Sequence, residues 1–274
     1  MTLDTPSFLD CVLITGASSG IGKEFAKQLA PLSLHLILVA RRDERLKEVQ
    51  SALTAQHPQL QITVYTCDLT FEDEREQLFN NLSTSGIRPT LLINNAGLGD
   101  YGEFTESRWN KIKDMIEVNM TALTHLCYLF LPGMKDLRNG AIINVSSIAS
   151  LVPISDFAVY AATKAYVTSF SEALRSELRG DGIPVLTVCP GPVHTEFGEV
   201  AAREGKKYEH KGFEQLYVSQ EEVVLDALTA LLEDKPRVYP GWKVALFATT
   251  LTILPFFLVR SFNAKRTRKI PSDD

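Results

Sequence analysis

Short apolar runs alternate along this chain with longer stretches of helical spacing. The runs CVLITG (11–16), LHLILVA (34–40), ITVYTC (62–67), TLLINN (90–95), AIINVSS (141–147) and IPVLTVC (183–189) predict strands. They are continuously apolar rather than alternating, which fits strands covered on both faces of a parallel sheet. Helical spacing occupies 20–32, 42–57, 72–85, 109–131 and 155–179. The alternation predicts an α/β fold, a doubly wound parallel sheet with right-handed crossovers.

The rhythm breaks after Cys189. Residues 190–218 read as one long loop, punctuated by Pro190, Pro192, Gly205 and Gly212. Long loops in compact domains usually carry function, so this stretch is expected to cover a substrate. Ser219, with Glu222 three positions on, opens a further helix through a capping box. RVYP (237–240) predicts an edge strand, a seventh. Residues 1–242 then form a single domain, and 243–274 an apolar helix with a basic tail.

That last segment has two readings. VALFATTLTILPFFLV (244–259) carries no charge, and RSFNAKRTRK (260–269) carries five basic residues and no acid. Sixteen helical residues reach about 24 Å, short of a hydrocarbon core of about 30 Å. Three threonines and Pro255 weaken a spanning role further. Packing against the substrate pocket or another subunit is favoured; peripheral membrane contact through 243–270 stays open.

Composition narrows the function. With 274 residues, 45% hydrophobic and 22% charged, the chain is an ordinary globular one. A net charge of −5 argues against a general nucleic-acid binder. Cys11, Cys67, Cys127 and Cys189 lie in or beside apolar runs without metal-ligand spacing, so buried free thiols and no metal are expected. The opening MTLDTPSFLD lacks a basic region and a long apolar stretch. It does not read as a secretory signal, and a cytoplasmic location is expected.

Directly after the first predicted strand comes TGASSGIG (15–22), with glycines at 16, 20 and 22. Such a strip turns the chain sharply and brings backbone N–H groups and a helix N-terminus towards a phosphate. Its place between a buried strand and a helix strengthens the reading beyond a bare turn. The second strand runs into Arg41 and Arg42, where an acid would suit a free ribose 2′-hydroxyl. Arginines at a helix start oppose its dipole, and a guanidinium suits a 2′-phosphate. The pair points to NADP(H) over NAD(H).

In VYAATKAY (159–166), Tyr160 precedes Lys164 by four residues and so shares a helix face with it. TGASSGIG, NNAG (94–97), a serine-bearing strand end and Tyr-x-x-x-Lys, in this order, resemble the short-chain dehydrogenase/reductase family over about residues 10–240. The resemblance implies a Rossmann fold and a catalytic set of Asn119, Ser147, Tyr160 and Lys164. Ser147 lies thirteen positions before Tyr160, as the family serine commonly does; its neighbour Ser146 is the competing assignment. The cofactor site it implies takes Gly16, Ser18, Ser19, Gly20, Ile21 and Gly22 from the strip and Arg41 and Arg42 beyond the second strand. Asp68 and Leu69 would lie near the adenine. Asn95, Ala96 and Gly97 would line the adenosine ribose, and Pro190, Val193 and Thr195 the nicotinamide, beside Tyr160 and Lys164. It also implies a homodimer or homotetramer packed through 109–131 and 155–179.

The chemistry has a physical basis. A free phenol titrates near 10, so it is a poor base at neutral pH. A neighbouring ammonium lowers that value and tunes the phenol for proton exchange with an alcohol or ketone. Ser147 would stabilise charge on the substrate oxygen. By the family resemblance, Asn119 would hold a water that links Lys164 to solvent as a proton relay. The expected function is reversible hydride transfer between NADP(H) and a small-molecule carbonyl or alcohol, a lipophilic ketone or 3-oxoacyl group by the likeness of the tail. The rival is a nucleotide-binding regulator or scaffold that no longer turns over.

Overall fold

Seven strands form one parallel sheet in the computed structural model, which describes residues 6–203 and 214–254. They are β1 (Cys11–Thr15), β2 (His35–Ala40), β3 (Gln61–Thr66), β4 (Leu91–Asn94), β5 (Ala141–Val145), β6 (Val185–Val188) and β7 (Arg237–Val238). The order is β3-β2-β1-β4-β5-β6-β7. The winding direction therefore reverses between β1 and β4, and the crevice beyond their C-terminal ends is where such sheets bind ligands.

Alternate side chains of each strand enter opposite layers, which explains the unbroken apolar runs. Val12 and Ile14 pack with Phe25 of α1 (Gly20–Leu29), Leu46 of α2 (Asp43–Gln56) and Val224 of α8 (Gln220–Leu232). Leu13 and Ile37 pack on the other face with Leu78 of α3 (Glu72–Thr84), Phe130 of α5 (Leu123–Leu137) and Val167 of α6 (Ala158–Leu178). Each such fully buried side chain contributes about 1.5–3 kcal/mol. The strand β3 departs from the expectation. It lies at the sheet edge, and its residues are half-buried or exposed.

Element ends differ from the sequence reading for local reasons. The helix expected over 20–32 stops at Leu29, because Pro31 cannot donate to the next turn. The one expected over 155–179 starts at Ala158, after Asp156 turns the chain at φ +64°. The one expected over 109–131 is α4 (Trp109–Ile116), a π-helical turn (Glu117–Ala122) and α5, running on to Leu137. Leu126, Phe130 and Met134 keep one buried face through Pro132.

The stretch expected as a loop over 190–218 contains a short helix, α7 (Phe197–Ala201), and a turn at Glu214–Leu216; residues 204–213 lie outside the described residues. Ser219 Oγ accepts from Glu222 N at 3.1 Å, the first half of the expected capping box. The last described helix is α9 (Trp242–Ile253). It buries Val244 and Ala248 and exposes Trp242, Leu246 and Ile253. The rest of the apolar run and the basic tail lie outside the described residues. No helix among the described residues is long and apolar enough to cross a membrane.

Candidate active site

At the switch point Thr15 joins β1 to β4. Its hydroxyl donates to Ile93 O (3.2 Å) and accepts from Asn95 N and Ala96 N (3.0 Å each). Asn95 Nδ2 returns to Thr15 O at 2.9 Å. The expected glycines sit against this joint. Gly16 has φ +66°, and a Cβ there would stand 2.8 Å from Asn95 Nδ2. A Cβ on Gly22 would stand 2.3 Å from Gly16 O, a distance no packed carbon tolerates. Gly20, with φ +56°, faces Thr195. The helix α1 opens at Ser19 without a side-chain cap, so its first N–H groups face the crevice. This cradle, which side chains would fill, fits the pyrophosphate of a dinucleotide.

A cleft of about 1780 Å³ runs from the glycine strip to the C-terminal end of β5. It gathers Ser18, Ser19, Ile21, Arg41, Arg42, Asp68 and Leu69 at one end. Asn95, Ala96 and Gly97 form its floor, and Ser147, Tyr160, Lys164, Pro190, Val193 and Thr195 line the other end. Two expected residues do not line it. Gly22 is needed for the close packing behind the strip, and Asn119 is buried beneath Gly97.

Tyr160 and Lys164 share a face of α6, with Lys164 Nζ 5.8 Å from the tyrosine ring centroid. Lys164 is buried, and Nζ donates to Val145 O at 2.8 Å. Burial pushes the amine down to about 8, against the pull of nearby Cys189. Burial likewise pushes the Tyr160 phenol up to about 12; a hydrogen bond with the Ser147 side chain works the other way, and Cys189 adds to the rise. The expected lowering of the phenol draws on Lys164 together with the oxidised nicotinamide; in the protein alone, burial is the largest influence on Tyr160.

The two candidate serines separate cleanly. Ser146 Oγ donates to Lys164 O (2.9 Å) and bonds Thr168 Oγ1 (2.8 Å), so it is committed to holding β5 on α6. Ser147 Oγ accepts from Ala149 N at 3.1 Å and lines the cleft beside Tyr160, with which its side chain hydrogen-bonds. Asn119 lies in the π-helical turn. Its Oδ1 accepts from Leu98 N (2.8 Å), and Nδ2 donates to Leu98 O (2.9 Å) and Thr163 Oγ1 (3.0 Å). Both amide hydrogens are spent, so a relay water would meet Asn119 at an oxygen rather than at its NH2 group. A Cβ on Gly97 would lie 3.4 Å from both Asn119 Oδ1 and Lys164 Nζ, so the glycine separates these two groups by little more than its own backbone.

Several site residues went unread in the sequence. Tyr101, Phe157, Tyr160 and Phe197 form a chain of rings with centroids 5.1–5.3 Å apart. They give that end of the cleft, beside Ser147 and Lys164, an aromatic wall. Arg42 donates to Ser19 Oγ (2.8 Å) and Ser18 Oγ (3.2 Å) and pairs with Glu196 (2.7 Å); Arg45 pairs with the other oxygen of Glu196. Arg45 stands one turn after Arg42, a spacing visible in the sequence. Arg41 lies 3.7 Å from Asp68. Buried Asp100 pairs with Arg203 (2.7 Å) and Lys111 (3.3 Å) and accepts from Ser107 (2.5 Å). Burial alone would raise its carboxyl, but these hydrogen bonds hold it down at about 2. His194 stacks on Tyr217 at 4.1 Å.

Comparison with known proteins agrees with this geometry. Residues 10–205 match the family model for short chain dehydrogenase. A very-long-chain 3-oxoacyl-CoA reductase of Macaca fascicularis is 31% identical over 199 residues, 71% of this chain and 63% of that protein. The chain thus spans less than two thirds of the length of such relatives. A short-chain dehydrogenase from Sphingobium yanoikuyae, solved with NADPH, superposes with TM-score 0.78 at 29% identity, covering 97% of this chain and 99% of that one. A bulky-bulky ketone specific alcohol dehydrogenase from Comamonas testosteroni superposes with TM-score 0.75 at 28% identity, covering 96% and 97%. Sheet order, glycine cradle, family match and superposition converge: the chain belongs to the short-chain dehydrogenase family.

Proposed function

We propose that this chain is an NADP(H)-dependent carbonyl reductase, with alcohol oxidation as the reverse reaction, acting on lipophilic ketones or 3-oxoacyl-type substrates. The reading rests on Ser147, Tyr160 and Lys164 meeting at the end of the cleft that carries the aromatic wall. That wall suits a bulky apolar substrate, and the relatives named for 3-oxoacyl-CoA and bulky ketones support the class. Arg41 and Arg42, with Arg45 beside them and the Ser18 and Ser19 hydroxyls, are the groups for a 2′-phosphate, and the glycine strip for the pyrophosphate.

When bound, the dinucleotide supplies the hydride and, oxidised, a positive charge. Every other element of the mechanism belongs to the chain. Tyr160 gives its phenolic proton to the substrate oxygen during reduction. Its raised value of about 12 keeps that proton in place throughout the working range. Ser147 donates a hydrogen bond to the same oxygen and steadies its developing charge. Lys164, fixed by Val145 O, sets a cation beside the phenol and offers its remaining hydrogens to the nicotinamide ribose. Asn119 acts by position, holding Leu98 and Thr163 around Gly97 and Lys164.

The exposed Trp242, Leu246 and Ile253 of α9 support a contact with a second subunit or, peripherally, with a membrane. The faces of α5 and α6 are the proposed dimer or tetramer contact, and the cytoplasm the proposed location.

The test is turnover of NADPH with a panel of carbonyls, from short-chain aldehydes to bulky ketones and long-chain 3-oxoacyl thioesters, read by absorbance loss. Turnover is expected with the apolar members. Tyr160→Phe should lose about 10²–10⁴-fold in kcat and bind NADPH as before. Tight NADPH binding with no turnover on any carbonyl would instead favour the silent nucleotide-binding reading.

A further inference from the structure

Glu196 stands at a junction. It follows Thr195 at the nicotinamide end of the loop and precedes α7, yet its carboxylate reaches across the cleft to the adenosine end. One oxygen meets Arg42 and the other meets Arg45, so a single carboxylate bridges two guanidiniums. Arg42 is itself fixed to the glycine strip through Ser18 and Ser19. We propose that Glu196 occupies, with its own carboxylate, the anion position that Arg42 and Arg45 offer to a ribose 2′-phosphate. NADP(H) must displace it, and its displacement releases the leading end of α7. This rests on the 2′-phosphate reading given above.

Three observations carry it. The first is chemical. The same guanidinium edges cannot serve the carboxylate and a phosphate together, and a dianionic phosphate outbids a single carboxylate for two cations. The Glu196 carboxyl is held below its usual value by its hydrogen bonds with Arg42 and Arg45, which marks it as a charged competitor.

The second is the contrast between the two ends of α7. At its far end Arg203 pairs with Asp100, Lys111 reaches the carbonyls of Val200 and Ala201 (3.3 Å each), and Tyr101 N donates to Ala201 O (2.9 Å). The Asp100 side chain is 4% exposed, whereas those of Arg42, Arg45 and Glu196 are 37–47% exposed. Exposed pairs are weak and buried ones costly to break, so the Glu196 end yields first.

The third is what moves. Phe197, the residue after Glu196, packs on Tyr160 at 5.3 Å and lies so close to Gly99 that a Cβ there would stand 2.6 Å from its ring. Releasing Glu196 therefore shifts a wall of the substrate site. An NADH molecule, with a neutral 2′-hydroxyl, has no group to trade for the carboxylate and leaves the latch shut.

The experiment compares wild type with Glu196→Gln and Glu196→Asp, first checking that all three melt alike. Calorimetric titration gives the Kd for NADPH, NADH and 2′,5′-ADP, and amide hydrogen exchange follows residues 197–201. Glu196→Gln should bind NADPH and 2′,5′-ADP about threefold to tenfold tighter, the range of an exposed charge pair removed. NADH should change by less than about twofold. Glu196→Asp, charged but one methylene shorter, should fall between. In wild type, 2′,5′-ADP should speed exchange at 197–201 and 5′-AMP should not; in Glu196→Gln exchange should be fast from the start. A wild type that prefers NADPH while Glu196→Gln leaves the ratio unchanged, or weakens NADPH, overturns the latch and spares the 2′-phosphate reading. Equal binding of NADPH and NADH by wild type and both variants overturns both.

Discussion

Asn119 clasps both backbone groups of Leu98, accepting from its N–H at 2.8 Å and donating to its carbonyl at 2.9 Å. The amide thereby stands in for a neighbouring strand and fixes the chain just after β4, where Gly97 must pass between Asn119 and Lys164. In Asn119→Asp the donor to Leu98 O and Thr163 is lost, and a charge is buried facing a carbonyl. Each orphaned buried group costs about 1–3 kcal/mol. Differential scanning calorimetry should show the melting temperature lowered by about 5–10 °C. NADPH affinity should fall as well, because the cleft floor at Asn95, Ala96 and Gly97 loosens. An unchanged melting temperature would mean that the clasp is dispensable.

The values at Tyr160 and Lys164 predict the pH profile. The phenol remains an acid up to about 12, so its titration lies beyond the accessible range. The Lys164 amine, pushed down to about 8, loses its charge within that range. For reduction, kcat/KM for NADPH should therefore be level at neutral pH and fall as pH rises through about 8. Lys164→Arg, whose guanidinium stays charged, should be slower but lack that limb. A limb that survives in Lys164→Arg belongs to another group.

The ion pair of Asp100 with Arg203 predicts acid sensitivity. Its carboxyl sits at about 2, below the unfolded value near 3.8. A depressed carboxylate stabilises the fold above its unfolded value, and that stability drains away as pH falls towards 2. The amount is on the order of 2 kcal/mol. Unfolding in urea between pH 5 and 2.5 should show a steeper loss in wild type than in Asp100→Asn, which starts less stable.

Gly22 makes the sharpest steric prediction. A methyl group there would meet Gly16 O at 2.3 Å and Asn95 Nδ2 at 2.5 Å, both part of the rigid joint between β1 and β4. Gly22→Ala must push the start of α1 away from the crevice. NADPH binding should weaken more than tenfold in a calorimetric titration, and stability should drop by about 1–3 kcal/mol. Gly180→Ala, where a Cβ meets nothing within 4 Å, is the matched control.

What could be read in the sequence was what local geometry dictates. Three glycines after a buried strand, and a tyrosine four residues before a lysine, each announce a backbone shape or a shared helix face. The doubly wound sheet followed from apolar runs that must be covered on two sides. The pairing of Glu196 with Arg42, 154 positions apart, was invisible, since each looks like ordinary solvated charge until the fold joins them. The same holds for Asp100 and Arg203. For Lys164 the sequence spacing put it near Tyr160, and the fold adds what spacing could not show, the bond to Val145 O and the burial of the amine.

The π-helical turn at Glu117–Ala122 has a consequence for how this chain can change. A helix carrying one residue more than its regular ladder requires is out of phase by about 100° across the extra residue. The buried side of α4, with Ile112 and Met115, and that of α5, with Leu126 and Phe130, thus carry a fixed offset that an unbroken α-helix would not give. Removing one residue from 117–122 would restore an ordinary ladder and swing one half about its axis. A turn of that size would carry Asn119 off both backbone groups of Leu98. The length of the polypeptide at this joint, as much as the identity of its side chains, sets the dimensions of the site.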